Sequence, residues 1–461
     1  MSSLEKLLLP EIRELIHDKD LDTLREVLNR WLPADLGDLL DDLGNYEDTV
    51  AFQCLEAELA ALTFAHLTWA AQDQLIHCLP ETELARILNE LAPDDRTAVL
   101  EGRDHADVER LLTLLSPENQ RVSRSLLSYG AGTVGRLMTP DFIAVKEEWT
   151  ISQVLEHVRQ VGRDSETLNA VYVYDTEHHL IDDIRMRQIL LANPESQVRS
   201  LMDRHYVALN VTDAEAAAVE TFRKYDRSVL PVIDRRGVLL GVVTVDDVLD
   251  VAEEAATRDA QKFGGLEALE EAYVATPVLQ LVRKRATWLI VLFLGEMLTA
   301  SAMGVFESEI EKAVVLALFV PLIISSGGNS GSQAATLIVR AMAVGELRLR
   351  DWWMVMRREL LSGLLLGLVL GGIGFGRIAL WTVFTPMYGP HWALVGITVA
   401  ISLVFIVLWG TLSGSMLPFL IKRAGLDPAT SSAPFVATLV DVTGLVIYFS
   451  VAMLVLRGTL L

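Results

Sequence analysis

Apolar positions along this chain follow three successive rhythms. Up to about residue 130 they recur at three- and four-residue spacing, as in Leu4, Leu7, Leu8 and Ile12, then Leu21, Leu24, Val27 and Leu28. That spacing predicts short amphipathic helices. Pro33, Pro80, Pro93 and Pro117 open or close segments, so residues 1–130 should form an all-α superhelical domain. From Leu137 a strand–helix pattern appears twice. MTPDFIAV at 138–145 is answered by MDRHYVAL at 202–209, and VYVYD at 171–175 by LPVID at 230–234; GVVTVDDVL at 241–249 closes the second copy. Each copy reads β-α-β-β-α over about 60 residues, small for a secure core, so the two should pack together. Five long apolar segments follow, at about 286–306, 313–340, 356–380, 393–421 and 433–456, each long enough to cross a bilayer as a helix.

Charge sharpens this division. The whole chain has a net charge of −22 and a mean hydropathy of +0.35. Residues 286–461 carry 10 Lys/Arg against 9 Asp/Glu, and residues 1–285 carry the other 29 and 52. An acidic body therefore precedes a nearly neutral membrane domain, which argues for soluble cations and against nucleic acid as partners. The expected domains are 1–130, 137–200, 201–255, a connecting helix at 256–282, and a membrane domain at 283–461. Basic residues flank the spans unevenly. Arg283, Lys284 and Arg285 precede the first, five arginines from Arg340 to Arg358 follow the second, and Lys422 and Arg423 follow the fourth. Glu307, Glu309 and Glu311 face only Lys312 in the first outer loop, and 385–392 has no Lys or Arg. The positive-inside rule then places the acidic body in the cytoplasm and the C-terminus outside a plasma (inner) membrane. Cys54 and Cys78 imply neither a disulfide framework nor a cysteine metal site, and no cleavable signal peptide is expected.

Candidate chemistry begins with Asp441. It lies ten residues into SSAPFVATLVDVTGLVIYFSVAMLVL (431–456), roughly 15 Å deep at about 1.5 Å per residue. A carboxylate there marks an ion pathway, or else a protonated acid bonded to a neighbouring span. Thr438, Gly444, Leu445 and Tyr448 share its helix face. Glu296, in LFLGEML of the first span, is a second mid-membrane acid that could face a pore or pair within the bundle. The second span is interrupted by Pro321 and by SSGGNSGSQ at 325–333. Its glycines permit either close helix packing or local unwinding that frees carbonyls. Asn329 and Gln333, four apart, share a face. Ahead of the membrane, residues 246–281 are helix-compatible apart from Gly264–Gly265, and Glu267, Glu270 and Glu271 gather on one sector. That stretch is either a connector or a gating helix that responds to cations. Asp94 and Asp95 in LAPDDR sit at a helix start, where N-capping is the plain explanation.

The repeated unit resembles a tandem CBS-domain pair. The second copy keeps that family's adenosine-site pattern at Gly241, Thr244 and Asp247, so an adenine nucleotide such as ATP is a candidate ligand there. The first copy has Asp182, Arg185 and Gln188 at those positions. Taken over nearly its whole length, the chain resembles the MgtE family of Mg2+ transport proteins. The resemblance is carried by LLSYGAGTVGRLMTP (126–140), VDDVLDV (245–251), VPLIISSGGNSGSQAATLIVRAMA (320–343) and DPATSSAPFVATLVDVTGLVIYF (427–449). It implies a homodimer with one pore lined by the second and fifth spans, where Gly327, Gly328, Asn329, Gln333, Thr438 and Gly444 would surround Asp441 from both subunits. It also implies a cytosolic sensor that binds Mg2+ and closes the pore, with Asp94, Asp226, Asp247, Asp250, Asp259 and Asp427 as bridging ligands. Ala214, Ala216, Ala255 and Arg258 stand where related chains often carry carboxylates, which implies fewer or weaker sensor sites. Asp247 is claimed by both the nucleotide and the sensor readings.

The physical logic agrees with that picture. Mg2+ sheds water reluctantly and is commonly held through its waters by one or two carboxylates, and no His or Cys cluster offers a softer site. An acidic assembly repels itself when cations are scarce and is bridged when they return. The expected function is therefore a passive, Mg2+-gated magnesium channel. The alternatives are the same fold with broader selectivity, for example toward Co2+, or a non-conducting divalent sensor anchored in the membrane. No GxxxxGK[ST], HExxH or GxSxG pattern supports an enzyme or a primary pump.

Overall fold

The structure is a computed structural model that describes residues 3–44, 46–163, 165–269, 273, 276–385 and 388–460, with side chains from residue 8 onward. Leu4, Leu7, Glu270 and Glu271 thus lie outside the described side chains. The chain divides into two compact units, Met1–Glu254 and Ala255–Leu461.

Within the first unit, ten helices (α1–α10) occupy residues 3–127 among the described residues. Their starts follow the chemistry of capping. Asp20, Thr68, Asp104 and Ser116 each accept a hydrogen bond from the amide three residues on, which satisfies donors the helix cannot use itself. Their apolar faces meet in one core that includes Leu24, Leu36, Phe52, Phe64, Leu84, Ile87 and Leu111. In α8 (Pro93–Leu100) the N-cap is Ala92, with no side-chain cap. Asp94 and Asp95 fall in the first turn instead, where the helix dipole favours acids.

After the short α11 (Val134–Leu137) the two copies follow. The first is β1 (Ala144–Lys146), α12 (Ile151–Val161), β2 (Ala170–Tyr174), β3 (Leu180–Arg185) and α13 (Met186–Leu191). The second is β4 (Leu209–Asn210), α14 (Glu215–Tyr225), β5 (Val229–Ile233), β6 (Leu239–Thr244) and α15 (Val245–Phe263). Each builds a three-stranded sheet, parallel at its first pairing and antiparallel at its second, with a bulge at the equivalent place, Val173/Tyr174 and Val232/Ile233. Ala170, Tyr172 and Leu180 share a core with Val229, Leu239 and Val242, so the copies bury faces that neither could bury alone. Residues 134–139 pack with the second copy rather than the first. Thr139 and Val242 exchange both backbone hydrogen bonds, at 2.8 and 2.9 Å, and Val134 and Met138 join the second copy's core. The last helix of the second copy and the start of the expected connecting helix are one continuous α15, which ends at Gly264 and at Gly265 (φ +76°).

In the second unit, five helices among the described residues are long and apolar enough to span a membrane: Val278–Val305, Val314–Ala343, Leu349–Phe384, Trp392–Arg423 and Ala433–Leu456. They contain α16 (Val278–Val305), α18 (Val320–Ala343), α19 (Trp352–Phe384), α20 (Trp392–Arg423) and α21 (Ala433–Leu456), and α17 (Glu307–Lys312) lies in the first outer loop. The expected interruption of the second span does not occur at its glycines. Residues 314–319 form a 3-10 turn, Pro321 sits in the first turn of α18, and the helix runs unbroken through SSGGNSGSQ. Proline suits that opening position because its missing N–H would have no helical partner there. The glycines serve packing. A Cβ on Gly410 or Gly414 would strike the carbonyl oxygen of Gly327 or Gly331, so α18 and α20 touch backbone to backbone, the close approach small residues allow between membrane helices.

Candidate functional site

The central acid stands where three helices converge. Asp441 is half-buried on α21, and the position a Gly328 Cβ would take lies 3.6 Å from its Oδ1. A methyl at 328 would make ordinary van der Waals contact with the carboxylate. An open groove of about 670 Å³ runs beside it, lined on α21 by Pro434, Ala437, Thr438 and Asp441 and on α16 by Leu289, Ile290, Phe293 and Glu296 among others. The two helices approach closely at Gly295, whose Cβ would lie 2.8 Å from Thr438 Cγ2. The other members of the expected Asp441 face point elsewhere. Leu445 and Tyr448 are buried, with the Tyr448 hydroxyl donating to Leu316 O at 2.9 Å. Gly444 and Gly327 are buried against Ile406 of α20, so both pack rather than line an opening. Asn329 and Gln333 share an exposed face of α18 with Ser325 and Thr336, and Asn329 Nδ2 donates to Ser325 Oγ at 3.3 Å.

At the start of the last span, Asp427 Oδ1 accepts from Ala429 N (2.9 Å), and Asp427 Oδ2 accepts from the Lys262 ammonium on α15 (2.7 Å). Burial opposes ionisation of Asp427, yet the lysine and the amide together hold its pKa below the usual carboxylate value. Asp259, one turn before Lys262, is pushed up by burial and by the Asp427 charge. The expected ligands Asp259 and Asp427 are thus brought together with a lysine beside them. One turn further along, Trp288 Nε1 donates to Ser432 Oγ (3.1 Å), the N-cap of α21.

The first unit holds a second gathering of acids. Asp94 is buried, and burial followed by the charges of Asp247, Glu166 and Asp95 drives its pKa well up. Burial, with Asp247, Asp95, Asp246 and Asp141, pushes Glu166 up to about 7. Asp247 rises to about 6, chiefly through burial, although the Thr244 hydroxyl donates to its Oδ2 at 2.7 Å. Asp250 is raised by burial, then by Asp246 and Glu253, with His66 opposing. The nearby Arg96 guanidinium donates to Ser123 Oγ and to the Leu88 and Leu91 carbonyls. Asp226 stands apart as the left-handed C-cap of α14. Sequence reasoning missed Glu166, Asp141 and Arg96. Asp141 lay within the repeated MTPDFIAV segment, the one signal that could have flagged it. No group of three or more His, Cys, Asp or Glu is close enough to hold a metal ion directly among the described residues; an ion held through its own waters needs only one or two carboxylates.

At the CBS positions both copies use the motif as a helix start. Thr244 caps α15 through Asp247, and Gln188 Oε1 accepts from Arg185 N at 3.1 Å. Gly241 is demanded by packing, since its Cβ would lie 2.6 Å from Thr139 O. A polar cleft of about 410 Å³ opens at the first copy, lined by Arg185, Arg187, Gln188, Asp203, His205 and Arg227 among others. Asp182 there is spent on the backbone amides of Asp183, Asp203 and Arg204.

Fold and site together define a multidomain membrane protein in which a helical domain and a tandem CBS pair precede five apolar spans. Comparison with known proteins makes this specific. Family models match residues 31–132 (MgtE intracellular N domain), 134–195 and 198–254 (CBS domain) and 320–451 (MgtE, divalent cation transporter). The chain is 38% identical to the magnesium transporter MgtE of Thermus thermophilus across 99% of this chain and all of that one. It is 30% identical to the MgtE of Enterococcus faecalis over 72% of this chain and 71% of that one. A crystal structure of the cytosolic domain of the Mg2+ channel MgtE in complex with ATP aligns at 34% identity and a TM-score of 0.51, covering 53% of this chain and all of the other. The chain belongs to the MgtE family.

Proposed function

We propose that this protein is a magnesium channel that admits Mg2+ passively through a homodimeric pore and closes when cytosolic Mg2+ is abundant. The observation that carries the reading is Asp441, a carboxylate midway along an apolar span, half-buried beside Gly328 and facing an open groove. A charged group at that depth is expensive unless a hydrated path or partner meets it. Two copies of Asp441 about a dimer axis would hold a hydrated Mg2+ through its waters, with the exposed amides of Asn329 and Gln333 on the same path. Closure would be driven by the acids of the first unit and by Asp259 and Asp427, which repel one another until divalent ions bridge them. For an adenine nucleotide, the first-copy cleft offers Arg185, Arg187 and Arg227 to phosphates, although Arg227 also pairs with Asp183 at 3.0 Å. Thr244 and Asp247 are engaged with each other, so the first copy is the better supported side.

The test is Mg2+ flux into proteoliposomes for the parent and Asp441→Ala. Flux in the parent and a loss of at least about a hundredfold in a folded, dimeric variant would place the ion at Asp441, because a pore without its charged ring loses its ion site. Equal flux would move the path elsewhere. No flux in either, even at low internal Mg2+, would favour the membrane-anchored sensor. Running Co2+ beside Mg2+ in the same assay separates a magnesium-selective path from a broader one.

A further inference from the structure

The first span carries one acid between Arg285 and Glu307, Glu296. Its neighbours Leu294, Met297 and Leu298 are ordinary lipid- or partner-facing residues, more than half exposed in the isolated chain. Glu296 is different, because it lines the same groove as Asp441. It does not pair within the bundle: among the described residues no Lys or Arg forms a salt bridge with it. The contact of Gly295 with Thr438, one turn before Asp441 on α21, sets α16 close enough for its next residue to reach that groove. A bulkier residue at 295 would push the helices apart.

We propose that Glu296 is a second carboxylate of the cation path, one that sets divalent affinity and the ranking of ions. The inference rests on the reading of Asp441 as the ion site. Asp441 and Glu296 come from different helices, so each protomer presents two acids to one open groove instead of one. A hydrated divalent cation crossing beside Asp441 then has a second acceptor for the protons of its shell, and it need not give up water to gain it. Doubling the charge favours divalent over monovalent ions, as in other acid-ringed pores. The longer glutamate arm suits a contact made through water, and Thr438, whose hydroxyl donates to Pro434 O at 3.0 Å, lines the same groove with an acceptor oxygen.

Flux of the full-length protein in proteoliposomes tests this with Glu296→Gln, Glu296→Asp and Asp441→Asn measured side by side, Mg2+ and Co2+ each titrated against a constant Na+ background. The expected result is a rise of roughly tenfold in half-saturating Mg2+ for Glu296→Gln, the scale of one charge-assisted contact. Its Mg2+/Co2+ ranking should change, maximal flux should stay within about twofold, and Glu296→Asp should restore most of the affinity. A purely structural glutamate would lower maximal flux without altering the ranking. If the glutamine variant assembles poorly, Glu296→Met, which suits the apolar span better, carries the same expectation. Curves for Glu296→Gln or Glu296→Met that overlay the parent, with Asp441→Asn inactive, would overturn the role of Glu296 and leave Asp441 standing. Activity in Asp441→Asn would overturn the path itself.

Discussion

Two gatherings of carboxylates among the described residues are treated in opposite ways by the fold. In the first unit Asp94, Asp95, Glu166 and Asp247 are drawn out of water and toward one another, and their pKa values rise. Burying these charges costs the unit stability that a proton or a bridging cation would return. In the membrane unit Asp441 and Glu296 border an open groove, while cohesion comes from the glycine contacts of α18 with α20 and a core of Ile323, Val399, Ile406 and Val440. Charge there lies beside the packing rather than within it. Under the proposed function, an ion arriving at the first place would change the stability of the fold, and one arriving at the second would pass through. The same residue type thus suits a sensor in one setting and a path in the other.

The largest effect that would sharpen this contrast comes from removing charge without changing shape. Asp94→Asn with Asp247→Asn should stabilise the Mg2+-free first unit, since burial and the neighbouring acids raise both pKa values and so penalise the charged forms. It should also erase Mg2+ protection of residues 1–254 against protease in the intact protein. The corresponding Asp441→Asn change should leave that protection untouched. If the double variant were cut faster than the parent without Mg2+, the acids would be acting as stabilising hydrogen-bond acceptors and the contrast would collapse.

A smaller effect is set by protons. Glu166 titrates at about 7 and Asp247 at about 6 in the folded protein, against ordinary values of 4.5 and 3.8. The folded form takes up these protons before the unfolded chain does. Its stability therefore rises as pH falls through 7 and then 6, and levels off below the ordinary values. Without Mg2+, protease resistance of the first unit should increase from pH 8 to pH 6. Saturating Mg2+ should flatten that profile, and Glu166→Gln should remove its upper part. A decrease in resistance over the same interval would contradict the assignment.

Architecture was largely legible in the sequence, because periodicity and repetition are properties of the chain itself. The five spans, the duplicated unit and the break at Gly264–Gly265 all follow from spacing. What sequence left open is what depends on a neighbour. SSGGNSGSQ fits an unwound segment or a tight seam equally well, and only Gly410 and Gly414 on a different helix decide for the seam. Gly444 lies three residues from Asp441 and looks pore-facing, yet α20 claims that side of the helix. Glu296 could not be aimed from its own span, since its direction is fixed by the packing of Gly295 on Thr438. Glu166 and Asp141 lie on loops whose carboxylates acquire meaning only when α8 and α15 bring Asp94 and Asp247 to them. The second copy's Thr244 and Asp247 match a ligand motif, and in the folded chain the same pair also opens α15.

Lys262 offers the smallest and most pointed test, because it places a cation of the chain's own among expected sensor acids. Its ammonium lies 2.7 Å from Asp427 Oδ2 and one turn from Asp259. Asp427 in turn caps the 3-10 turn Pro428–Thr430 that leads into the span of Asp441. The lysine can therefore hold the end of α15 against this turn in the absence of any divalent ion, doing in part what a bridging Mg2+ would do. Both side chains are 39% exposed, so solvent screens the pair and its worth is at most about 1 kcal/mol. In Lys262→Met the two acids lose that counter-charge. Flux at vanishing internal Mg2+ should then rise by no more than about fivefold, and added Mg2+ should suppress it over a wider range than in the parent, since the freed carboxylates can now bind it. Unchanged flux at zero Mg2+ would mean that the lysine only fills space beside Asp427. A narrower range of suppression would mean that it helps to recruit the ion rather than replace it.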